Sequence, residues 1–421
     1  MLLLAFTIFL FGTILVSVVI HHVALFFFLR RLKPAEKDTS DADYTPKTMV
    51  FFPLRGADPS LPRSLEKILT QDYPNYHIQF ILDSANDPAR PFVEAAIAQH
   101  QRGGSPHAEI KVQQTRFSTC SLKCSALYHG VTDLDPSFEA VVVLDADTNP
   151  PRDWLGRLVK PLADPRFPAA TGLRWYVPVQ ANAGSLVRYI WNAAAIVQQY
   201  LYRIPWGGSL ALRRDLFTGS DLLEQWKHSF ADDTLVKSAV QQMNGEVAFV
   251  PGLFLVNRET CGLLPFHRWV KRQLMCAELY HPSWRAVLFQ AALLTVPLLL
   301  LAGTFFAGLI QQNGHVVLWS LMAFVLYWAG VFGALPLMEH SLRQIVRQHG
   351  ETVEKWSFYR TILTFAMIPV THVVYVSALF GLRSLRKVEW RGIEYEITGK
   401  QIRLVEYKPY TAKPAEEGQS L

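Results

Sequence analysis

Apolar residues gather at the two ends of this chain and leave a mixed middle. Residues 2–29 carry no formal charge beyond the titratable pair His21 and His22, and the run exceeds the ~20 residues needed to cross a bilayer. It has no early Lys or Arg and no small-residue cleavage site, which argues for a retained anchor rather than a signal peptide. Three more apolar segments follow at 286–310, 316–337 and 361–382, the last interrupted by Pro369 and His372. Residues 339–360 mix charge with Leu342, Ile345, Val346 and Val353, a pattern that predicts a helix lying in the membrane interface. Three full crossings would place the basic tail from Arg383 on the far side, against the charge rule. The rule is kept if one segment is re-entrant or lies along the interface.

The middle alternates between strand and helix periods. Strands are predicted at 48–52, 77–82, 110–112 and 141–144, with helices at 61–71, 89–101 and 122–131 between them. Such alternation implies a parallel sheet wound with helices on both faces. Ligands then sit outside the carboxyl ends of the strands. Arg55, Asp83, Asp145 and Asp147 all fall at predicted carboxyl ends. From residue 150 the pattern is mixed: strands at 170–176, 210–213 and 246–250, an aromatic-rich helix at 185–202, and a tight turn at Trp206-Gly207-Gly208-Ser209.

Composition changes the picture in three places. Half of the 421 residues are hydrophobic and only 18% are charged, with a mean hydropathy of +0.14, high for a soluble enzyme. The net charge of +6 comes partly from Arg30, Arg31 and Lys33 and from Arg383, Arg386 and Lys387, beside apolar segments, so it reads as cytoplasmic flanks of a membrane protein and not as a nucleic-acid surface. Cys120, Cys124, Cys261 and Cys276 form neither a zinc pattern nor a disulfide framework. Buried free thiols in a reducing compartment are expected, with Cys120 and Cys124 on one helix face.

The candidate chemistry centres on Val141 to Asp147. A buried apolar strand there stops at two carboxylates spaced i, i+2, which project to one face of a regular strand. Two such anions repel unless a cation lies between them. A hard ion with oxygen ligands, Mg²⁺ or Mn²⁺, suits the pair and shares its coordination with substrate phosphates. The alternative is a solvated turn in which one aspartate caps the next helix. Asp232-Asp233 stands before another helix and offers either a cap or a general base. Arg268 and Trp269 precede the first C-terminal span, where an interfacial anchor is the competing explanation. His267 and His281 are expected at the interface.

Taken in order, these motifs resemble the membrane glycosyltransferases of families 2 and 21, the ceramide glucosyltransferase-like enzymes in particular. The most specific stretch is Pro53-Leu54-Arg55-Gly56-Ala57-Asp58-Pro59, followed by Gln71-Asp72-Tyr73-Pro74-Asn75-Tyr76 and Asn86-Asp87-Pro88-Ala89, with Arg55 where the family pattern has Lys. Trp390-Arg391-Gly392 with Tyr395 is also similar to bacterial members. The resemblance implies a GT-A α/β domain flanked by transmembrane helices. It implies donor contacts at Arg55, Asp83 (or its neighbour Ser84), Lys123, Asp145, Gly207 and Gly208. It places metal binding at Asp145 and Asp147, a base at Asp233 beside Asp232, and the closing Q/R-x-x-R-W motif at Arg268 and Trp269. The first position of that motif is Pro265, a departure.

The expected organisation is an N-terminal anchor at 1–30, a juxtamembrane linker at 31–47, a cytoplasmic catalytic domain at 48–283, a membrane region at 284–382 and a tail at 383–421 that is disordered after Tyr410. The expected activity is inverting, Mg²⁺- or Mn²⁺-dependent transfer of a hexose, glucose from UDP-glucose, onto a lipid hydroxyl such as that of ceramide. The expected partners are a UDP-sugar donor, a membrane lipid acceptor and the bilayer. Diacylglycerol or hopanoid acceptors, a processive polysaccharide synthase, and an inactive binder of nucleotide sugar or lipid are the alternatives.

Overall fold

The computed structural model describes residues 1–32, 44–101 and 106–410. Most of the expected linker at 31–47, and the tail beyond Tyr410, lie outside the described residues. Helix α1 (Leu2–Leu32) is followed by β1 (Thr48–Leu54), α2 (Leu61–Leu69), β2 (Tyr76–Leu82), α3 (Arg90–Gln101), β3 (His107–Val112), α4 (Leu122–Thr132), β4 (Ala140–Leu144) and α5 (Trp154–Val159). Then come β5 (Ala169–Tyr176), α6 (Ala183–Tyr202), β6 (Ser209–Arg213), the short helices α7 (Leu216–Gly219), α8 (Leu222–Trp226) and α9 (Val236–Gln242), and β7 (Val247–Asn257). The chain ends with α10 (Leu263–Tyr280), α11 (Trp284–Ile310), α12 (Gly314–Gln348), α13 (Phe358–Ala366), α14 (Ile368–Leu382), β8 (Lys387–Trp390), β9 (Ile393–Thr398) and β10 (Gln401–Glu406).

Seven strands form one sheet in the order β3-β2-β1-β4-β6-β5-β7. The β1/β2, β2/β3, β1/β4 and β5/β7 pairs are parallel, and β6 runs antiparallel to β4 and β5. The central strands β1, β2 and β4 are buried on both faces, which explains why they read as continuous apolar runs. Val50, Phe52 and Leu54 of β1 pack against α2, α3 and α5. Met49 and Phe51, on the opposite face, pack with α4 and with α7–α9. Strand order reverses between β1 and β4, so the crevice for a ligand opens where Arg55 and Asp145 leave the sheet.

Four helical segments are long and apolar enough to cross a membrane among the described residues: Leu2–Leu32, Trp284–Ile310, Gly314–Gln348 and Phe358–Leu382. The chain is therefore a membrane protein of mixed α/β fold. Phe9, Phe27, Phe289 and Phe306 project outward from them, more than half exposed.

One expectation is corrected here. Residues 339–360 do not form a separate interfacial helix. Helix α12 runs on to Gln348, and Leu342, Ile345 and Val346 pack onto Trp175 and Val256 of the sheet. The third C-terminal segment is two helices that meet at Met367, with Pro369 in the first turn of α14, where its missing N–H costs nothing. Both outer ends of this pair rest on the α/β part of the chain. Arg360 donates to the carbonyls of Pro178 and Val179, and Gly381 packs against Lys271. Their junction lies deep among the spans, where Ile368 meets Leu10, Leu301 and Tyr327.

The described part of the tail is folded. β8, β9 and β10 form an antiparallel sheet with Tyr395 and Ile393 buried inside. All four cysteines are buried and free. Cys120 lies just ahead of α4, whose N-cap is Ser121, so it does not share a helix face with Cys124.

Candidate active site

A cavity of about 350 Å³ opens at the carboxyl ends of β1, β2 and β4. One end is set by the loop after β4. Lys123, near the start of α4, donates to Asp145 Oδ1 at 2.8 Å and to the carbonyl of Gly207 at 3.3 Å, and stands 3.0 Å from Asp232 Oδ2. Arg174, projecting from β5, places one Nη2 atom 3.2 Å from Asp145 Oδ2 and 3.1 Å from Asp147 Oδ1. Its guanidinium lies over the Trp206 ring at 4.5 Å and donates to the Tyr176 hydroxyl. Neither aspartate caps a helix, because α5 starts later, behind Asp153.

The backbone closes on these carboxylates at Gly207 and Gly208. A Cβ at Gly207 would come within 2.6 Å of Asp232 Oδ2, and one at Gly208 within 2.6 Å of Asp145 Oδ2. The Gly207 N–H donates to Asp233 Oδ2 at 2.7 Å. Asp232 and Asp233 do not cap α9, which begins at Val236 with Leu235 in the capping position.

Burial sets the protonation of the cluster. It raises the carboxyl of Asp233 to about 7, with the neighbouring Asp232 adding to the effect. Burial also raises Asp232 and Asp147. At Asp145 burial is again the largest influence and pushes upward, but Lys123 and Arg174 together overcome it and hold the carboxyl below its usual range. The pairings in turn hold Lys123 and Arg174 more firmly protonated, although burial opposes this.

The other end of the cavity is closed by residues far apart in sequence. Arg55 pairs with Asp83, which is only 4% exposed, and Tyr407 donates to the same carboxylate at 3.1 Å. Arg116 faces it at 3.4 Å. Arg55 also donates to the carbonyls of Arg391 and Lys408. Arg391 returns a bond to the Arg55 carbonyl and forks onto Asp58 at 2.6 and 2.7 Å. Two arginines thus exchange backbone bonds and fasten the C-terminal sheet to the loop after β1.

Of the sequence-derived residues, Arg55, Asp83, Lys123, Asp145, Asp147, Asp232, Asp233 and Trp269 line this one cavity, with Gly207 and Gly208 at its wall. Arg268 lies on the exposed side of α10 and does not line it. Arg272, one turn further on, does, and among the described residues it makes no ion pair or hydrogen bond. Burial lowers its pKa. Ser84, His267 and His281 are not part of the cavity. Sequence reasoning passed over Arg174 and Arg272, and took Arg391 only as part of the Trp390-Arg391-Gly392 likeness. Arg174 had a signal, since it is a charged side chain within a buried strand, and such a charge needs a partner.

The glycosyl transferase family 21 model matches residues 9–402 of the chain. The protein is a member of glycosyltransferase family 21. The match spans the anchor, the sheet, the membrane helices and the start of β10, and the fold is of the GT-A kind. No curated protein matches the chain. Among solved structures, it is similar to the mannosyltransferase PcManGT from Pyrobaculum calidifontis, in complex with GDP-Man and Mn²⁺. That likeness has 18% identity and a TM-score of 0.49, over 89% of this chain and 99% of that one. Glucosyl-3-phosphoglycerate synthase from Mycobacterium tuberculosis, in complex with Mn²⁺ and UDP-Glc, is similar at 14% identity and a TM-score of 0.35, over 55% and 79%. Likenesses this distant say nothing about donor or acceptor.

The family 21 site contains two hard oxygen donors, Asp145 and Asp147, that already converge on one cationic atom of Arg174. That arrangement fits a divalent ion of the Mg²⁺ or Mn²⁺ type. Among the described residues there is no group of three or more His, Cys, Asp or Glu placed to hold a metal. The protein would therefore supply two carboxylates and leave the other positions to phosphate oxygens and water.

Proposed function

We propose that this glycosyltransferase moves a hexose, glucose from UDP-glucose, onto the hydroxyl of a membrane lipid such as ceramide, with inversion and with a divalent metal. The observation that carries the reading is Asp233. Its carboxyl is raised to about 7 and oriented by the Gly207 N–H, and it shares the cavity with the Asp145/Asp147 pair and with Val287 and Tyr375 of the membrane helices. A base poised near neutrality suits proton removal from an alcohol at cellular pH. A cavity walled partly by membrane helices suits an alcohol that belongs to a lipid.

In the reaction the acceptor oxygen attacks the anomeric carbon from the face opposite the nucleotide. The new C–O bond forms as the bond to the β-phosphate oxygen breaks, and the acceptor proton passes to Asp233. Asp145 and Asp147 would hold the metal, which supplies charge neutralisation for the departing diphosphate. Lys123 spans Asp145 and Asp232 and keeps donor and base ends in register. Arg272 is a free cation for the phosphates. Arg55, Asp83, Tyr407 and Arg391 form the wall of the nucleoside pocket, and Trp269 backs the sugar.

The same reading assigns residues 48–283 to catalysis and 284–382 to the membrane, with the described part of 383–421 joined to the catalytic domain. The basic pair Arg30 and Arg31 closing α1 favours a cytoplasmic face. A re-entrant α13–α14 pair returns the tail to that same face. Membranes holding the protein, given labelled UDP-glucose with Mn²⁺ or Mg²⁺ and ceramide, diacylglycerol or hopanoid acceptors, are expected to yield a labelled monoglycosyl lipid that EDTA abolishes. A polymeric product, or no labelled lipid from any acceptor, would overturn the reading.

A further inference from the structure

A second cavity, of about 230 Å³, lies among α1, α6, α11, α12 and α14, within the apolar helices. Trp191, Ala195 and Gln198 of α6 and Tyr375 of α14 line both this cavity and the catalytic one. The three α6 residues follow i, i+4, i+7 spacing and so form one stripe of the helix. Ala195 is the small member of the stripe, set between an indole and an amide.

The walls are mostly aliphatic, but the cavity contains paired polar groups. Tyr202 donates to Gln290 Oε1 at 2.6 Å, and Gln290 Nε2 lies 3.2 Å from His21 Nε2. Polar side chains inside a bilayer are costly, and mutual pairing is the usual remedy. Gln198 is different: among the described residues its amide has no hydrogen-bond partner, and it stands where the two cavities meet.

We infer that the intramembrane cavity berths the hydrocarbon chains of the acceptor, and that the acceptor's head passes between Trp191, Ala195 and Tyr375 toward Asp233, with its polar linker hydrogen-bonded to Gln198. The occupant is thus an amphiphile with a terminal hydroxyl, an amide or ester next to it, and a chain too apolar to leave the membrane. The inference rests on the lipid-acceptor reading above and adds the route, the berth and the side chain that reads the linker. Continuity with the catalytic cavity decides between this occupant and an ordinary structural lipid. A phospholipid without a free hydroxyl would have no reason to share a threshold with the base.

The test uses the full chain in phosphatidylcholine nanodiscs. A ceramide with a diazirine in its N-acyl chain is expected to label α1, α11 or α12 at residues such as Leu25, Leu294 and Val331. Excess plain ceramide should compete, and added phosphatidylcholine should not. Ala195→Trp is expected to cut transfer to a long-chain ceramide by at least about tenfold, with a far smaller loss for a short-chain ceramide delivered from water and an unchanged Kd for UDP. Gln198→Leu is expected to raise the acceptor KM while leaving the donor Kd in place. Transfer without labelling in the cavity, competition by phosphatidylcholine, or equal losses for long and short chains would overturn the berth alone. Absence of transfer to any lipid would overturn the lipid-acceptor reading, and the berth with it.

Discussion

Asp233→Asn separates the chemistry of the site from its architecture. The amide oxygen of Asn can still accept from the Gly207 N–H, now 2.7 Å from Asp233 Oδ2, and the side-chain volume is unchanged. The charge is what disappears. In the folded protein burial, with Asp232 beside it, raises Asp233 to about 7, against ~3.9 for an unfolded chain. Between those values the folded state binds the extra proton. The protonated carboxyl's contribution to stability is therefore fully present below ~3.9 and is lost as pH rises through about 7. Three units at ~1.4 kcal/mol each give a cost on the order of 4 kcal/mol at pH 8. Asn removes that cost, so donor-free Asp233→Asn should unfold at a higher temperature than wild type at pH 8, with the advantage shrinking toward pH 5. Losing a general base should lower the transfer rate by roughly 10²–10⁴-fold. Wild-type kcat/KM should climb with pH through about 7 as the base is freed. Thermal unfolding in one detergent at both pH values, paired with initial rates, reads all of this. A variant less stable at pH 8, or one that keeps more than about a tenth of the rate, would refute the reasoning.

Asp145→Asn and Asp147→Asn should each weaken UDP-glucose binding in Mn²⁺ by at least about tenfold. Titration calorimetry should then give a variant affinity close to that of wild type in EDTA. Arg272→Gln should cost at least about tenfold in kcat/KM with little loss of stability, since it removes a cation that has no partner among the described residues. Arg268→Gln, on the exposed side of α10, should change kinetics by less than about twofold. Gly208→Ala drives a Cβ into the Trp206 ring and toward Asp145 Oδ2, so it should lose about 1–3 kcal/mol of stability together with donor affinity, measured by thermal unfolding with and without UDP. Arg391→Ala frees Asp58 and the Arg55 carbonyl, and hydrogen exchange at residues 387–406 should speed up while that of β4 stays slow.

Strands β1, β2 and β4 were legible because each is buried on both faces, so residues such as Val141 to Leu144 had to be apolar without a break. The carboxylates at the strand ends were legible because their position follows from the strand order. Local pattern did not carry the pairings. Arg174 was hidden because nothing near it in sequence hints that β5 runs beside the loop after β4. Arg272 was hidden by its neighbour, since a one-turn shift along α10 decides which arginine faces the cavity. The small C-terminal sheet did leave a trace: Ile393, Tyr395 and Ile397 alternate with Glu394, Glu396 and Thr398, bracketed by Gly392 and Gly399 at positive φ. That period of two reads as a half-buried strand, but beside the stronger apolar spans it reads as tail.

The C-terminal sheet also explains why the family match continues past the last apolar helix, to residue 402. The Tyr395 hydroxyl accepts from the Leu122 N–H at the start of α4, and Leu404 of β10 donates to the carbonyl of Ser118 just ahead of that helix. The Tyr395 ring meets Phe230, two residues before Asp232. Helix α4 carries Lys123, whose ammonium pairs with both Asp145 and Asp232. At the other end of the same sheet, Arg391 and Tyr407 grip Asp58 and Asp83 on the loops after β1 and β2. A segment that comes after all the described membrane helices therefore braces both the loops that carry Asp58 and Asp83 and the helix that carries Lys123. It can do so only if the α13–α14 pair returns the chain to the side of the membrane where the sheet lies. On the proposed re-entrant reading, the break at Met367 and Pro369 is what lets the chain make that return.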